Sequence, residues 1–399
     1  MTSELDTLYV FAPRQGEHAL AGRLRWKEGR GRFEYSRDWL AHPAAWPLDP
    51  RNLELRDGPF DTTLNGGIHG VFADAGPDAW GRLLIEHERG PSVAANPLEI
   101  LRLANGAGTG ALLFSQSRTR PAPARAVAAE TSLADLEAAS TAIAAGRRVS
   151  QEALQLVFEH GSSLGGARPK ALVADGGKEW IAKFGRPGDP LDIPRLEWAC
   201  LRLARECGID VPEHRLAEAN GRAVLLVQRF DRNAGERLHY LSLHALLSVE
   251  RMSPADVVAP TGLVSYFGAA SLYRRIGVPD AGRRMFERML FNVLIGNTDD
   301  HARNHGLLFH AGSWDMSPAF DLVAEGKPVH AIGIGLKGRE SSPENAFSAL
   351  ASYDLDEAVA RRSLESMQEV LHRAPGILAG SGLAEGEIDL ALGRMRSRA

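Results

Sequence analysis

The stretch Gly296-Asn-Thr-Asp-Asp-His-Ala-Arg-Asn304, followed by Pro318-Ala-Phe-Asp321, decides the reading of this chain. Asp299 precedes Asn304 by five positions (304 − 299) on a polar loop that closes an apolar helix. A hairpin-like stretch then leads to Asp321. Phosphoryl transfer needs that order: one carboxylate to orient and deprotonate the acceptor hydroxyl, then an amide oxygen and a second carboxylate to hold Mg²⁺ on the ATP phosphates.

Working outward, residues 281–295 carry Met285, Phe286, Met289, Leu290, Val293 and Leu294 at helical spacing, which predicts a buried helix. Gly296 is its stop signal. Residues 307–309 and 314–316 flank Ala311-Gly312 as a hairpin that delivers Asp321. The loop has two other readings. Asn, Asp and Thr are ordinary turn formers, so it also fits a polar surface turn. Asp299, Asp300 and His301 also suggest metallohydrolase ligands, although three consecutive side chains diverge and at most two share one ion. His301, His305 and His310 are spread across a loop and a strand, and no zinc is expected there.

A Gly-rich loop lies upstream: Gly161-Ser-Ser-Leu-Gly-Gly-Ala-Arg-Pro-Lys170. Glycines let backbone N–H groups approach phosphate oxygens. The spacing is neither that of a Walker loop nor that of the protein-kinase Gly-rich loop, and taken alone the stretch reads better as an ordinary turn. Lys183 adds weight, because a strand lysine flanked by apolar residues is costly to bury without an anion. Glu197 follows 14 residues later (197 − 183) on a predicted helix and is suited to steadying that amine. Residues 223–230, Ala-Val-Leu-Leu-Val-Gln-Arg-Phe, read as a buried strand ending in Gln228, Arg229 and Phe230, a hinge that meets the adenine edge or simply a core strand. Asp231-Arg232 reads as a turn.

The chain has 399 residues, long enough for two or three domains, with ordinary hydrophobic and charged content. A net charge of −4 gives no basic footprint for direct nucleic-acid binding. Cys200 and Cys207 form no zinc pattern and fit a reducing cytoplasm. The start of the chain does not read as a signal peptide, and no apolar run approaches the roughly 20 residues that span a bilayer. A cytoplasmic protein without a membrane segment is therefore expected.

Short strands at 8–11, 19–26 and 31–35 and a helical stretch at 71–88 predict a small α+β region, with His69, His87 and Asp74 on its surface. Residues 115–129 read as a Pro/Ala-rich linker, and Ser132 as an N-cap. Strands at 170–173 and 179–184, a helix at 194–207 and a strand at 222–229 follow. Helices are then expected at 241–247, 262–276, 281–295, 345–350 and 356–374. The expected domains are 1–117, 118–149 (linker and helix), 150–232 and 233–399. A small sheet-containing lobe thus precedes a larger helical lobe, with a nucleotide cleft between them.

These residues in this order resemble the HipA family of serine/threonine kinase toxins. The landmarks are Asn297-x-Asp-x-His-x-Arg-Asn304, Ser163-Leu-Gly-Gly-Ala-Arg-Pro-Lys170, Val227-Gln-Arg-Phe-Asp-Arg232 and Phe320-Asp-Leu322. The resemblance covers about residues 162–323, and the region before it looks like the family's N-terminal subdomain. It implies an α+β, two-lobed fold akin to protein and phosphoinositide kinases. It implies Asp299 as catalytic base, Asn304 and Asp321 as Mg²⁺ ligands, and Lys183 on the ATP phosphates. Gly165, Gly166, Ala167, Arg168 and Lys170 would surround the nucleotide, with Gln228, Arg229, Phe230, His301 and Arg303. It implies autophosphorylation at Ser163, with Ser162 beside it, and a helix-turn-helix antitoxin (HipB-like) through which alone DNA is met. A translation component such as an aminoacyl-tRNA synthetase is the implied target. Arg168-Pro169, Gln228 and Arg303 depart from the commonest family pattern. A small-molecule or lipid-head-group kinase of the same fold, and a non-catalytic scaffold in a repressor complex, are the alternatives.

Overall fold

Alternating apolar residues in the first strands build a five-stranded antiparallel sheet in the computed structural model, which describes residues 5–124, 132–163, 166–233, 235–247 and 264–396. Its strands are β1 (Thr7–Arg14), β2 (Glu17–Lys27), β3 (Arg30–Tyr35), β4 (Phe60–Thr62) and β5 (Leu113–Ser115), in the order β4-β3-β2-β1-β5. Period-two alternation sends Leu8, Val10, Leu24 and Phe33 to one face, where all are fully buried. Phe33 packs on Phe72 with ring centres 5.0 Å apart.

The chain divides into two compact units. The first comprises Met1–Pro187, Gln228–Glu250 and Leu307–Gly312, and the second Gly188–Val227, Arg251–Gly306 and Ser313–Ala399.

In the first unit the helical stretch expected at 71–88 is two helices, Gly70–Asp74 and Ala79–Arg89. Pro77 sits in the break, where it has no N–H to donate to a preceding turn. His69 is not a surface residue, and Asp74 is half-buried. The His69 ring is buried, edge-on to Phe72 at 5.8 Å, and burial pulls its pKa down to about 4. The Asp74 carboxylate accepts from the Ser242 backbone N–H at 2.7 Å and from its hydroxyl at 2.8 Å. His87 is exposed, as expected. The helices Leu133–Ala144 and Gln151–Gly161 start on Ser132 and Ser150, whose hydroxyls accept from the third residue on. Residues 125–129 of the expected linker lie outside the described residues. Trp80, Leu84, Ile85, Ile143, Val157 and Phe158 form a shared core.

Two strands, β6 (Lys170–Asp175) and β7 (Lys178–Phe184), make an antiparallel hairpin running from Lys170↔Lys183 to Asp175↔Lys178. Gly176 and Gly177, with φ of 57° and 74°, supply the two left-handed residues of its tight turn.

The second unit is mainly helical. Its helix Ile193–Glu206 is capped by Asp192, with Pro194 in the first turn where a missing N–H costs nothing. Cys200 is buried on this helix and Cys207 ends it. Two further strands, β8 (His214–Ala219) and β9 (Arg222–Gln228), pair antiparallel. The helix Ala281–Ile295 has the predicted bounds, and Gly296 closes it at φ 68°. The helix Tyr266–Ile276 packs on it; residues 262–263 of that expected helix lie outside the described residues. The helix expected at 345–350 is two short ones, Pro343–Phe347 and Leu350–Tyr353. That expected at 356–374 stops at Leu371 and resumes as Ala374–Gly380, because Pro375 cannot extend the hydrogen-bond ladder. Among the described residues no helix is long and apolar enough to cross a membrane.

Gly282 lets the Ala281–Ile295 helix approach a neighbouring carbonyl: a Cβ there would lie 2.0 Å from the Tyr353 backbone oxygen. Gly282→Ala forces backbone apart and is expected to cost about 1–3 kcal/mol. A urea denaturation midpoint lowered at unchanged slope is the expected readout, and an unchanged midpoint contradicts this packing.

Candidate active site

Gly296 ends its helix and turns the chain into a loop that is pinned from several sides within the second unit. The Asn297 side chain donates to Asn292 Oδ1 at 3.1 Å and to the Asp321 carbonyl at 3.5 Å. The Glu325 and Gly326 N–H groups both donate to the Gly296 carbonyl at 2.9 Å. Thr298 accepts from the Ala331 N–H at its carbonyl (2.9 Å) and from the Lys327 N–H at its hydroxyl (3.2 Å). The loop bearing Asp299 and the segment bearing Asp321 are therefore one hydrogen-bonded structure.

Asp300 is the anchor of the loop. Its carboxylate is 1% exposed and accepts from Asn292 Nδ2 at 2.6 Å, His305 Nε2 at 2.8 Å and the Tyr266 hydroxyl. Burial alone would raise its pKa, but the His305 ring and the hydrogen bonds from His305 and Tyr266 outweigh burial and hold it below the usual carboxylate value. Asp299 is its exposed neighbour and makes no hydrogen bond or ion pair among the described residues. With Asp300 turned into the protein, the Asp299-Asp300-His301 metal reading does not hold.

Asn304 ends a one-turn 3₁₀ helix, Ala302–Asn304, with its N–H on the His301 carbonyl at 2.9 Å. It is 7% exposed, yet its side-chain amide makes no hydrogen bond among the described residues. Asp321 adopts a left-handed backbone, φ 55°, which Asp tolerates better than most residues. An amide oxygen and a carboxylate on one pinned structure are hard oxygen donors that fit Mg²⁺. His301 is half-buried, with Nδ1 unpartnered among the described residues, and Arg303 is exposed. Glu197 also belongs to this unit, buried on the Ile193–Glu206 helix.

The remaining candidates belong to the first unit. Ser162 and Ser163 close the Gln151–Gly161 helix and are 1% and 2% exposed; the Ser163 hydroxyl is unpartnered among the described residues. Gly165 lies outside the described residues. Gly166 has φ 82°, and a Cβ on it would lie 2.5 Å from Lys170 Nζ, so the absence of a side chain is what lets that amine sit against the loop. Ala167 is exposed and its carbonyl accepts from Arg186; Arg168 is half-buried. Lys170 and Lys183 stand directly opposite in the β6–β7 register and concentrate positive charge at the end of the hairpin nearest the loop. Gln228 accepts from Lys178 Nζ at 3.1 Å, and Phe230 lies 6.0 Å from the Tyr240 ring.

Arg229 has a role the sequence reading missed. Its guanidinium is buried and donates to Asp231 at 2.7 and 2.9 Å, to the Ala107 carbonyl at 2.8 Å and to the Gly108 carbonyl at 2.7 Å. Arg232 donates to the same carboxylate at 2.8 Å and to the Gly106 and Gly110 carbonyls at 3.0 Å each. Asp231-Arg232 is thus no simple turn but the centre of a buried charge cluster that gathers residues 106–110. Burial would raise Asp231; the two guanidiniums outweigh it and hold the carboxyl well below its ordinary range. The available signal was charge alternation straight after an apolar strand, in Val227-Gln-Arg-Phe-Asp-Arg232.

The family described as "HipA-like C-terminal domain" matches residues 162–376, and "HipA N-terminal domain" matches residues 16–115. Two Sinorhizobium fredii proteins, Y4mE and Y4dM, are kinases by name only; they are 28% identical over 128 residues and 27% identical over 187 residues. Those segments are 31% and 41% of this chain but only 30% and 43% of the relatives, so the chain matches less than half of each. Among solved structures, HipA of the Shewanella oneidensis MR-1 toxin–antitoxin system, in complex with HipB and its operator DNA, aligns at TM-score 0.65 and 20% identity. The alignment covers 98% of this chain and 95% of that one, and it shows a shared α+β fold.

Proposed function

This chain belongs to the HipA family, and from that premise we propose that it is an ATP- and Mg²⁺-dependent serine/threonine protein kinase acting as the toxin of a toxin–antitoxin pair. The observation that carries this reading is the contrast between Asp300, locked inward by Tyr266, Asn292 and His305, and Asp299, left exposed beside it. A catalytic carboxylate must be held accurately and still be free to meet a hydroxyl. Anchoring the neighbour and leaving this one open does both.

Asp299 orients the acceptor hydroxyl and takes its proton. Asn304 and Asp321 hold Mg²⁺, which supplies charge neutralisation on the phosphates. Lys170 and Lys183 hold phosphate oxygens, and the Gly166–Ala167 backbone lies along them. Gln228–Phe230 meet the base, and Glu197, His301 and Arg303 serve the nucleotide. These assignments agree with the charge and burial of each residue, and most of the rate enhancement comes from positioning and charge stabilisation.

Ser163, with Ser162 beside it, is the autophosphorylation site. Both are buried, and a phosphate of charge about −1.5 to −2 cannot remain in such a position without charged partners. Phosphorylation therefore displaces the loop and silences the kinase. The partner is a helix-turn-helix antitoxin, supported by the Shewanella oneidensis complex with HipB and operator DNA. The target is a translation component such as an aminoacyl-tRNA synthetase.

Incubation of the dephosphorylated chain with Mg²⁺ and γ-labelled ATP tests this reading. One phosphate mapped to Ser163 or Ser162 is the expected result, lost in the double Ser162→Ala, Ser163→Ala variant. Label appearing on small metabolites and never on protein replaces it with the small-molecule kinase. ATP binding with no transfer to any acceptor replaces it with the scaffold.

A further inference from the structure

One helix of the N-terminal region shares hydrogen bonds with the Gly-rich loop. The helix Ala79–Arg89 has Asp78 at its N-cap, where a carboxylate ordinarily accepts from the helix's own first-turn N–H groups. Asp78 does not cap its helix. Its Oδ2 accepts from the Gly166 N–H at 3.2 Å, and the Trp80 N–H donates to the Gly166 carbonyl at 3.0 Å. Both backbone groups of Gly166 are thus held by this helix start. The Trp80 indole N–H then donates to the Lys170 carbonyl at 2.9 Å.

Glycines make the contact close. A Cβ on Gly81 would lie 2.7 Å from the Ser162 carbonyl oxygen, and one on Gly161 would lie 3.0 Å from both the Lys170 carbonyl oxygen and Trp80 Nε1. Trp80 is 2% exposed, so its indole cannot swing away without opening the core around Leu84, Val157 and Phe158. Three hydrogen bonds and the close approach at Gly161 therefore fix both ends of the segment from Gly166 to Lys170.

We propose that Asp78 and Trp80 are positioning residues for phosphate recognition: the N-terminal region sets where Gly166 and Lys170 stand, and thereby how tightly the triphosphate is held. The proposal rests on the kinase reading above and gives the N-terminal region a part in it. Neither residue touches the nucleotide. Their loss loosens the phosphate end of the ligand and leaves recognition of the nucleoside as it was.

Calorimetric titration of the full chain with Mg²⁺ and the non-hydrolysable β,γ-imido analogue of ATP, and separately with adenosine, tests this. Trp80→Phe keeps an aromatic ring but removes the indole donor; Asp78→Ala removes the acceptor. Each is expected to weaken the triphosphate about tenfold while adenosine affinity stays within about twofold. Asp78→Asn keeps an acceptor oxygen and is expected to bind the triphosphate as the unsubstituted chain does. A general structural defect lowers both ligands alike, and that result overturns the proposal. Unchanged triphosphate binding in both Asp78→Ala and Trp80→Phe overturns it too, and Asp78→Ala carries the test should Trp80→Phe not fold. If the unsubstituted chain binds the ATP analogue and the variants do not discriminate, only this proposal fails. If the unsubstituted chain binds neither ligand, the kinase reading fails and takes the proposal with it.

Discussion

Asp299→Asn is expected to lower phosphoryl transfer by about 10²–10⁴-fold with no loss of fold. Asp299 is exposed and bonds to nothing among the described residues, so replacing it removes no contact on which the loop depends. Denaturation in urea should move by no more than about 0.5 kcal/mol. Its neighbour behaves oppositely. Asp300→Ala leaves the Tyr266 hydroxyl, the Asn292 amide and the His305 ring without their shared acceptor in a buried site, so stability and transfer should fall together. The pair separates chemistry from scaffolding across one peptide bond. Equal loss of stability in both variants, or transfer retained by Asp299→Asn, refutes the division of labour proposed for them.

The largest stability effect is expected at Asp231→Ala. Two guanidiniums, of buried Arg229 and half-buried Arg232, share this carboxylate, and both also donate to the carbonyls of residues 106–110. Removing it leaves the two guanidiniums with only the half-buried Glu179 carboxylate, 3.3 Å from Arg229 and 3.4 Å from Arg232, in a poorly solvated place, at a cost of about 3–5 kcal/mol. The Gly110 N–H, which donates to Asp231, also loses its acceptor. The sign of the pH dependence follows from the carboxyl's depressed pKa. The stabilisation is fully present above the carboxylate's unfolded value and disappears as pH falls through the folded one. The stability gap between the unsubstituted chain and Asp231→Ala should therefore be widest near neutrality and narrow in strong acid. Denaturation midpoints measured across that range provide the check, and a gap that widens in acid contradicts the assignment.

What could be read from the sequence follows from how local each determinant is. The Ala281–Ile295 helix was legible to its last residue because its apolar spacing and Gly296 stop signal are written in consecutive positions. The β6–β7 hairpin was equally plain, since Gly176-Gly177 specifies its turn. Pro77 and Pro375 broke two helices that apolar spacing alone made continuous. The division of roles between Asp299 and Asp300 was not legible. It depends on Tyr266, which lies 34 positions away along the chain, and no local pattern says which of two adjacent carboxylates turns inward. The Arg229 cluster was hidden for the same reason, its carbonyl partners lying more than 120 positions upstream. Burial of Ser162, Ser163 and His69 likewise arises from segments remote in sequence, and a lone polar residue carries no mark of it.

Lys170 and Lys183 meet only because the two-glycine turn fixes which residues face one another. Adding one residue at Gly176-Gly177 would carry every partner on β7 to the next position and swing Lys183 to the opposite face. That turn lies about 20 Å from Lys183, at roughly 3.3 Å for each strand residue. Tolerance to change along this hairpin is therefore of two kinds. Substitutions on its solvent side are cheap, whereas a change in its length is not. A relative whose turn is a residue longer or shorter will have lost the lysine pair even if both lysines remain in its sequence, so turn length is the feature to inspect before such a relative is credited with the same ligand.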